Sequence, residues 1–284
     1  MSLQSISLRF SAGDSIAHCQ KISPLDGLET RMLLSHVLGL TRVQLITHNE
    51  QTLTSDQANI LSDVINRRVA GEPIAYLIGE REFFGLNFKV SPAVLIPRPD
   101  TELLVELAIE KSQQQGHVLD LGTGSGAIAI SLASQRPDLN IIASDISEAA
   151  LNIAKHNAQS LLPKEANINL IQSDWYQNIG EQQFHTIVSN PPYIVKDDAH
   201  LSEGDLRFEP INALTDHADG LSAYRTIIAG ACTRLQANGW LLMEHGYDQA
   251  QAVQDLLSEH GFIEVQSWKD LAGILRVTGG KWIK

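Results

Sequence analysis

The sequence predicts an α/β protein, an open and mostly parallel sheet with helices on both faces, preceded by a small helical domain. Three observations carry this reading. Strand-like and helix-like segments alternate from about residue 100 onward. The first strand of that alternation runs into a glycine-rich turn, and the first part of the chain, up to about residue 78, shows helical rather than strand periodicity.

Three segments divide the chain: a helical domain over 1–78, a β-hairpin linker over 79–99, and the α/β domain over 100–284. In the first, Leu25, Leu28, Met32 and Leu33 fall near helical spacing and Gly39 stands where such a helix stops. A second helix starts at Thr54 with Gln57 three residues on, the pattern of a capping box. It continues with Ala58, Leu61, Ile65 and Val69 on one face and ends before Gly71 and Pro73. The linker carries short β-rich pieces, Phe83-Phe84, Phe88–Val90 and Val94–Ile96, between glycines and prolines.

In the α/β domain a helix follows Asp100 with Leu103, Leu104, Leu107 and Ala108 as its apolar face. Strands are expected at His117–Leu121, Ile141–Ser144, Ile168–Gln172, Thr186–Ser189 and Trp240–Glu244, then near Phe262–Ser267 and Ile274–Thr278. Helices are expected from Ala127, after a cap at Ser147, through Leu221–Leu235 and from Asp248.

Composition narrows the class. The 284 residues are 43% hydrophobic and 19% charged, which suits a globular chain with room for two domains. No apolar run is long enough to span a membrane, and Met1–Phe10 lacks the pattern of a secretory signal. Cys19 and Cys232, the 2 cysteines, form no CxxC pair and read as reduced thiols, so a cytoplasmic location is expected. A net charge of −12 opposes general nucleic-acid binding through phosphates. The 10 histidines show no metal-ligand spacing, so no metal is expected, and Glu244-His245 reads as a structural pair closing an apolar run.

Open α/β sheets bind ligands beyond the carboxyl ends of their strands, so the informative residues are those that end strands. The first strand runs into Asp120-Leu121-Gly122-Thr123-Gly124-Ser125-Gly126. Its alternate glycines allow a tight turn and close ligand approach before a helix N-terminus. Taken alone, this turn also satisfies a nicotinamide-nucleotide pattern or a ligand-free turn. The next strand ends in Asp145, suited to accept from both hydroxyls of an adenosine ribose. The third ends in Ser173-Asp174-Trp175, where a ring beside a carboxylate suits an adenine and equally suits ordinary packing. The fourth ends in Asn190-Pro191-Pro192-Tyr193, whose prolines lock an extended path and hold Asn190 and Tyr193 on a stiff frame.

Asn190–Tyr193 together with Asp120–Gly126 resembles the amino-methyltransferases that use S-adenosylmethionine. With Ile96–Glu102, Gly79–Gly85 and Arg207–Pro210, nearly the whole chain resembles the release factor glutamine methyltransferase family. The resemblance implies a Rossmann-like class I S-adenosylmethionine-dependent methyltransferase with a helical N-terminal domain that docks the protein substrate. It implies S-adenosylmethionine as co-substrate, bound by Gly122, Thr123, Gly124, Ser125, Gly126, Asp145, Trp175 and Asn190. Asn190, Pro191, Pro192 and Tyr193 would be both catalytic and substrate-binding, methylating the glutamine of the Gly-Gly-Gln loop of peptide chain release factors. Asp120 and Asp174 are further neighbours of the cofactor, and Arg98 and Glu209 either support the structure or orient substrate. A monomer without direct nucleic-acid or membrane binding is expected. The competing readings are a ribosomal-protein glutamine methyltransferase, an adenine methyltransferase and a catalytically idle nucleotide-binding module.

Overall fold

A computed structural model describes residues 8–284, which form two compact units, one ending at Gly79 and the other spanning Glu80–Lys284. Residues 1–7, most of the stretch read above for a secretory signal, lie outside the described residues.

The first unit is built from helices α1 (Ile16–Ile22), α2 (Gly27–Leu38), α3 (Arg42–Thr47), α4 (Ser55–Val69) and α5 (Ile74–Ile78). The capping box that opens α4 is formed in both directions. Thr54 Oγ1 accepts from the Gln57 N–H at 3.3 Å, and Gln57 Oε1 accepts from the Thr54 N–H at 3.0 Å. These bonds satisfy donors that a helix start leaves free. Helix α2 ends at Gly39, whose φ of 65° is the left-handed cap expected of a glycine. Leu33 and Leu34 of α2 join Ile16, Leu45, Leu61 and Ile65 in the core of this unit. Leu28 and Met32, read on the apolar side of α2, are exposed, as is Val69 of α4. Leu33, read on that side, is buried, and with Leu34 it makes the packing of α2 against α4 and α5.

The second unit opens with an antiparallel hairpin, β1 (Glu80–Phe83) and β2 (Leu86–Lys89), with Phe83 opposite Leu86. Phe83 and Phe88 are buried in this unit's core, their rings edge to face at 6.0 Å, so the hairpin packs here as an integral piece. Val94–Ile96 forms no strand. Pro92, Pro97 and Pro99 withhold N–H groups from any ladder, and the segment runs as turn and extended chain with Val94 and Ile96 buried.

A 3-10 turn (Pro99–Thr101) leads into α6 (Glu102–Lys111), β3 (His117–Leu121), α7 (Ala127–Gln135), β4 (Asn140–Asp145), α8 (Glu148–Leu161), β5 (Ile168–Gln172) and β6 (Phe184–Ser189). After β6 come α9 (Ile211–Leu214), α10 (Ser222–Arg234), β7 (Leu235–Glu244), α11 (Ala250–Glu259), β8 (Ile263–Lys269) and β9 (Leu275–Lys281). The sheet order is β5-β4-β3-β6-β7-β9-β8, parallel through β7 and antiparallel at β9 and β8. The chain moves outward from β3 to β5 and then crosses back to β6, so strand order reverses between β3 and β6.

Side chains alternate across the sheet, as a strand period of two requires. Val118 of β3 lies in a core shared with α6, α7 and the hairpin, whereas Leu119 and Leu121 lie in the opposite core with Tyr224, Ile227 and Val253. Asn157 of α8, buried at 1% exposure, fastens the hairpin to the glycine turn. Its Oδ1 accepts from the Lys89 N–H at 2.8 Å, and its Nδ2 donates to Lys89 O at 3.0 Å and Ser125 O at 2.9 Å. Replacing Asn157 with Ala leaves buried backbone groups without partners. An unfolding midpoint in urea is expected to drop by the equivalent of about 2 kcal/mol, and an unchanged midpoint would show that the bridge contributes nothing.

Candidate active site

The motif residues stand at the carboxyl ends of four adjacent strands. The glycine turn follows β3, Asp145 ends β4, Ser173–Trp175 follows β5, and Asn190–Tyr193 follows β6. Their segments are joined by a continuous set of hydrogen bonds. The Gly122 and Thr123 N–H groups both donate to Ser144 O at 2.9 Å. The Gly124 N–H donates to Asp145 Oδ2 at 2.9 Å, and the Ser173 N–H donates to Asp145 O at 3.0 Å. On the other side of β3, Ser189 Oγ donates to Leu121 O at 2.7 Å, which ties the residue before Asn190 to the residue before Gly122.

Gly122 and Gly124 have φ of 74° and 56°, the left-handed region that glycine enters without strain. A Cβ built at either position meets nothing within 4 Å, so the turn presents bare backbone to open space. Such a surface lets a ligand come against the peptide planes and the N-terminal end of α7.

Asp120 lies under this turn, fully buried. Thr123 Oγ1 donates to its Oδ2 at 2.6 Å, while Oδ1 has no hydrogen-bond partner. Burial pushes the Asp120 carboxyl up to about 7, against the opposing effect of the Thr123 hydrogen bond. Asp145 is also held above the usual carboxylate range by burial, opposed by backbone N–H donors from Ser147 and Gly124. The cap of α8 is supplied by Ser147, whose Oγ accepts from the Ala150 N–H at 3.2 Å. Trp175 takes a φ of 46°, uncommon for a bulky residue, and packs partly buried against the core containing Tyr224. Asp174 accepts from Gln177 Nε2 at 3.0 Å.

Beyond β6 the chain is anchored from several sides. Asn190 Nδ2 donates to Thr101 Oγ1 at 3.3 Å, which leaves Asn190 Oδ1 free to accept. Gln249 Nε2 donates both to Tyr193 O at 3.0 Å and to Gly220 O at 3.1 Å. Gly220 is needed there, because its φ is 76° and an added Cβ would fall 2.6 Å from Tyr193 O. Burial pushes the Tyr193 hydroxyl up to about 12, so the ring is a neutral phenol. Arg98 and Glu209 form an ion pair, and Glu209 Oε2 also accepts from the Ile96 N–H at 3.0 Å. That pair ties the loop after β6 to the segment before α6.

Two residues not singled out as site residues in the sequence complete this group. Thr101 is the acceptor for Asn190, and Glu244 ends β7 beside it. Glu244 is buried, and burial pushes its carboxyl up to about 7, while the Thr101 and Asn190 side chains favour its charged form. The signal for Glu244 was its place at a strand end after Trp240–Met243. His245 is satisfied, as its sequence context suggests. Nδ1 bonds with Gly246 O at 2.8 Å and Nε2 with Thr278 Oγ1 at 2.8 Å, and burial holds the ring neutral.

Asp120 and Glu244 bind protons in the folded protein at pH values where the unfolded chain has released them. Their raised values therefore make stability decline as pH rises from about 4 toward about 7. In Asp120→Asn the decline between pH 5 and pH 8 is expected to be shallower than in the unsubstituted protein, measured by urea midpoints. Equal slopes would contradict a buried, proton-binding Asp120.

Residues 99–204 match the Methyltransferase small domain family and residues 18–79 match the PrmC N-terminal domain family. The release factor glutamine methyltransferase of Burkholderia pseudomallei is 52% identical over 271 residues, covering 93% of this chain and 95% of that protein. The Escherichia coli protein of the same name is 46% identical over 255 residues, covering 89% and 91%. Among solved structures, a Pyrococcus furiosus methyltransferase superposes with a TM-score of 0.55 at 17% identity, over 78% of this chain and 100% of that one. A T. thermophilus 16S rRNA methyltransferase in complex with AdoMet and guanosine gives 0.52 at 20% identity, over 72% and 49%. Both share the fold. Identity of this extent over nearly full length places the chain in the release factor glutamine methyltransferase family.

Proposed function

We propose that this chain transfers a methyl group from S-adenosylmethionine to the N5 side-chain amide nitrogen of the glutamine in the Gly-Gly-Gln loop of peptide chain release factors. The observation that carries the reading is the Asn190 carboxamide. Its nitrogen is bound to Thr101, and its oxygen is free at the carboxyl edge of the sheet, beside the strand-order reversal. The names of the full-length relatives support the choice of substrate.

The turn after β3 suits the co-substrate. Its bare backbone at Gly122 and Gly124 lets a ligand approach closely, and the partnerless buried Asp120 Oδ1 favours positive charge on that ligand. In this reading Gly122, Thr123, Gly124, Ser125 and Gly126 border the methionine portion, Asp145 accepts from the ribose hydroxyls, and Trp175 lies by the adenine. Asn190 serves both ligands. S-adenosylmethionine bound there supplies a methyl carbon already activated by its sulfonium.

An amide nitrogen is a poor nucleophile, because its lone pair is delocalised into the carbonyl. Asn190 Oδ1 and a carbonyl of Pro191-Pro192 would accept the two substrate N–H groups and aim the nitrogen. Neutral Tyr193 packs against the amide plane. As the N–C bond forms, the bond between sulfonium and methyl would break and leave a neutral thioether; the positive charge on nitrogen would be met by these fixed acceptors until one N–H proton passes to solvent. The prolines matter because they hold the acceptors without cost of reorganisation at the moment of transfer.

The N-terminal unit is assigned to docking of the release factor, and its exposed Leu28, Met32, Val43, Ile46, Ile60 and Val69 supply apolar surface for it. The enzyme is read as a cytoplasmic monomer. No helix among the described residues is long and apolar enough to cross a membrane.

The test uses labelled S-adenosylmethionine with unmodified release factor, ribosomal proteins, and DNA or RNA in separate reactions, followed by peptide mass spectrometry. Label is expected on the loop glutamine, with a loss of about 10²–10³-fold in kcat for Asn190→Ala at saturating S-adenosylmethionine. Label on a ribosomal protein or on adenine would reject the substrate, and an active Asn190→Ala would reject the role of the carboxamide.

A further inference from the structure

We propose that Glu244 is a positioning residue: its ionised carboxylate holds the Asn190 carboxamide with the oxygen turned toward the substrate. This rests on the reading of Asn190 as the acceptor for the substrate amide.

The topology brings the two residues together. Strands β6 and β7 are parallel neighbours with Ser189 opposite Met243, so Asn190 and Glu244 leave the sheet side by side. Thr101, buried at the start of α6, stands against both. Its Oγ1 accepts from Asn190 Nδ2 at 3.3 Å, and its side chain also favours the charged form of Glu244. Glu244 is 2% exposed, and its Oε2 has no hydrogen-bond partner. Arg276 of β9 favours the charged form of Glu244 but is itself paired with Asp100 at 3.2 Å and Asp270 at 3.1 Å. The other groups that face Glu244 are Asp100, which disfavours its charge, and the neutral hydroxyls of Tyr193 and Tyr224. The Tyr224 hydroxyl donates to the backbone oxygen of Glu244 and leaves the carboxylate alone.

A carboxamide can present either edge, and its partners decide which. An ionised carboxylate only accepts, so together with Thr101 Oγ1 it binds the NH2 edge of Asn190. The oxygen edge then faces outward, where the substrate amide brings donors. A protonated Glu244 can donate an O–H to Asn190 Oδ1. The carboxamide is then free to turn, and its NH2 edge would meet the donors of the substrate. Burial sets the Glu244 carboxyl near 7, so this exchange falls in the working pH range. Activity at saturating substrates should therefore rise with pH as Glu244 ionises.

The experiment measures kcat from pH 6 to 8.5 at saturating release factor and S-adenosylmethionine for the unsubstituted enzyme, Glu244→Gln and Asn190→Ala. Side-chain ¹⁵N–¹H resonances are followed over the same range without substrate. In the unsubstituted enzyme kcat is expected to rise about tenfold with a midpoint near 7, as one deprotonation requires. Glu244→Gln, which can donate to Asn190 Oδ1 as the protonated acid does, should lose about tenfold or more from the plateau and show no pH rise. The Asn190 amide resonance, identified by its loss in Asn190→Ala, should titrate with Glu244 present and not in Glu244→Gln. A Glu244→Gln enzyme with full kcat and an intact pH rise overturns the proposal. If that variant does not fold, an Asn190 resonance that stays constant with pH in the unsubstituted enzyme overturns it. A fully active Asn190→Ala rejects instead the reading of Asn190 on which the proposal rests.

Discussion

The parallel register of β4, β3, β6 and β7 is the constraint on which the site depends. Ser144 opposite Leu121, Leu121 opposite Ser189, and Ser189 opposite Met243 put four strand ends level. The residues that follow have nowhere to go but the same edge. A shift by one residue in any of these pairings would turn core side chains outward and misplace the turn or the Asn-Pro-Pro-Tyr segment. The buried apolar rows on both faces, Leu119 and Leu121 on one and Val118 and Val188 on the other, make such a slip costly. Packing in the interior therefore fixes the geometry of the chemistry at the edge.

Around that edge the molecule places acceptors more densely than donors. Asp120, Asp145 and Glu244 are all held above the ordinary carboxylate range by burial, with two of them near neutrality. Keeping partly desolvated carboxyls together is unfavourable in an empty site. The arrangement makes sense where the incoming ligand carries a sulfonium and an ammonium group, and where the reacting nitrogen gains positive charge as the methyl arrives.

Much of this was legible in the sequence because strand ends and punctuation residues have local physical causes. The Thr54–Gln57 box, the Gly39 cap, the span of β3 and the clustering of Gly122–Gly126, Asp145, Trp175 and Asn190–Tyr193 all follow from short-range patterns. What was not legible depends on contacts distant in sequence. Leu28, Met32 and Val69 have helical spacing but face outward, because the partners of α2 and α4 choose the buried side. Val94–Ile96 has strand propensity, yet flanking prolines exclude pairing. Thr101 lies 89 positions from its partner Asn190, and Arg98 and Glu209 lie 111 apart. Glu244 was visible as a strand end, but nothing local shows that its buried carboxyl leaves the sheet beside Asn190.

The central claim is that Asn190 Oδ1 accepts a hydrogen bond from the glutamine amide of the substrate. A double-mutant binding cycle tests it without relying on turnover, pairing Asn190→Ala with replacement of the loop glutamine of the release factor by glutamate, which has no amide N–H. If the contact exists, the glutamate factor binds more weakly than the glutamine factor to the unsubstituted enzyme, and the difference shrinks in Asn190→Ala. The expected coupling is about 1–3 kcal/mol. Equal differences in both enzymes, within error, would mean that the carboxamide does not read the substrate amide.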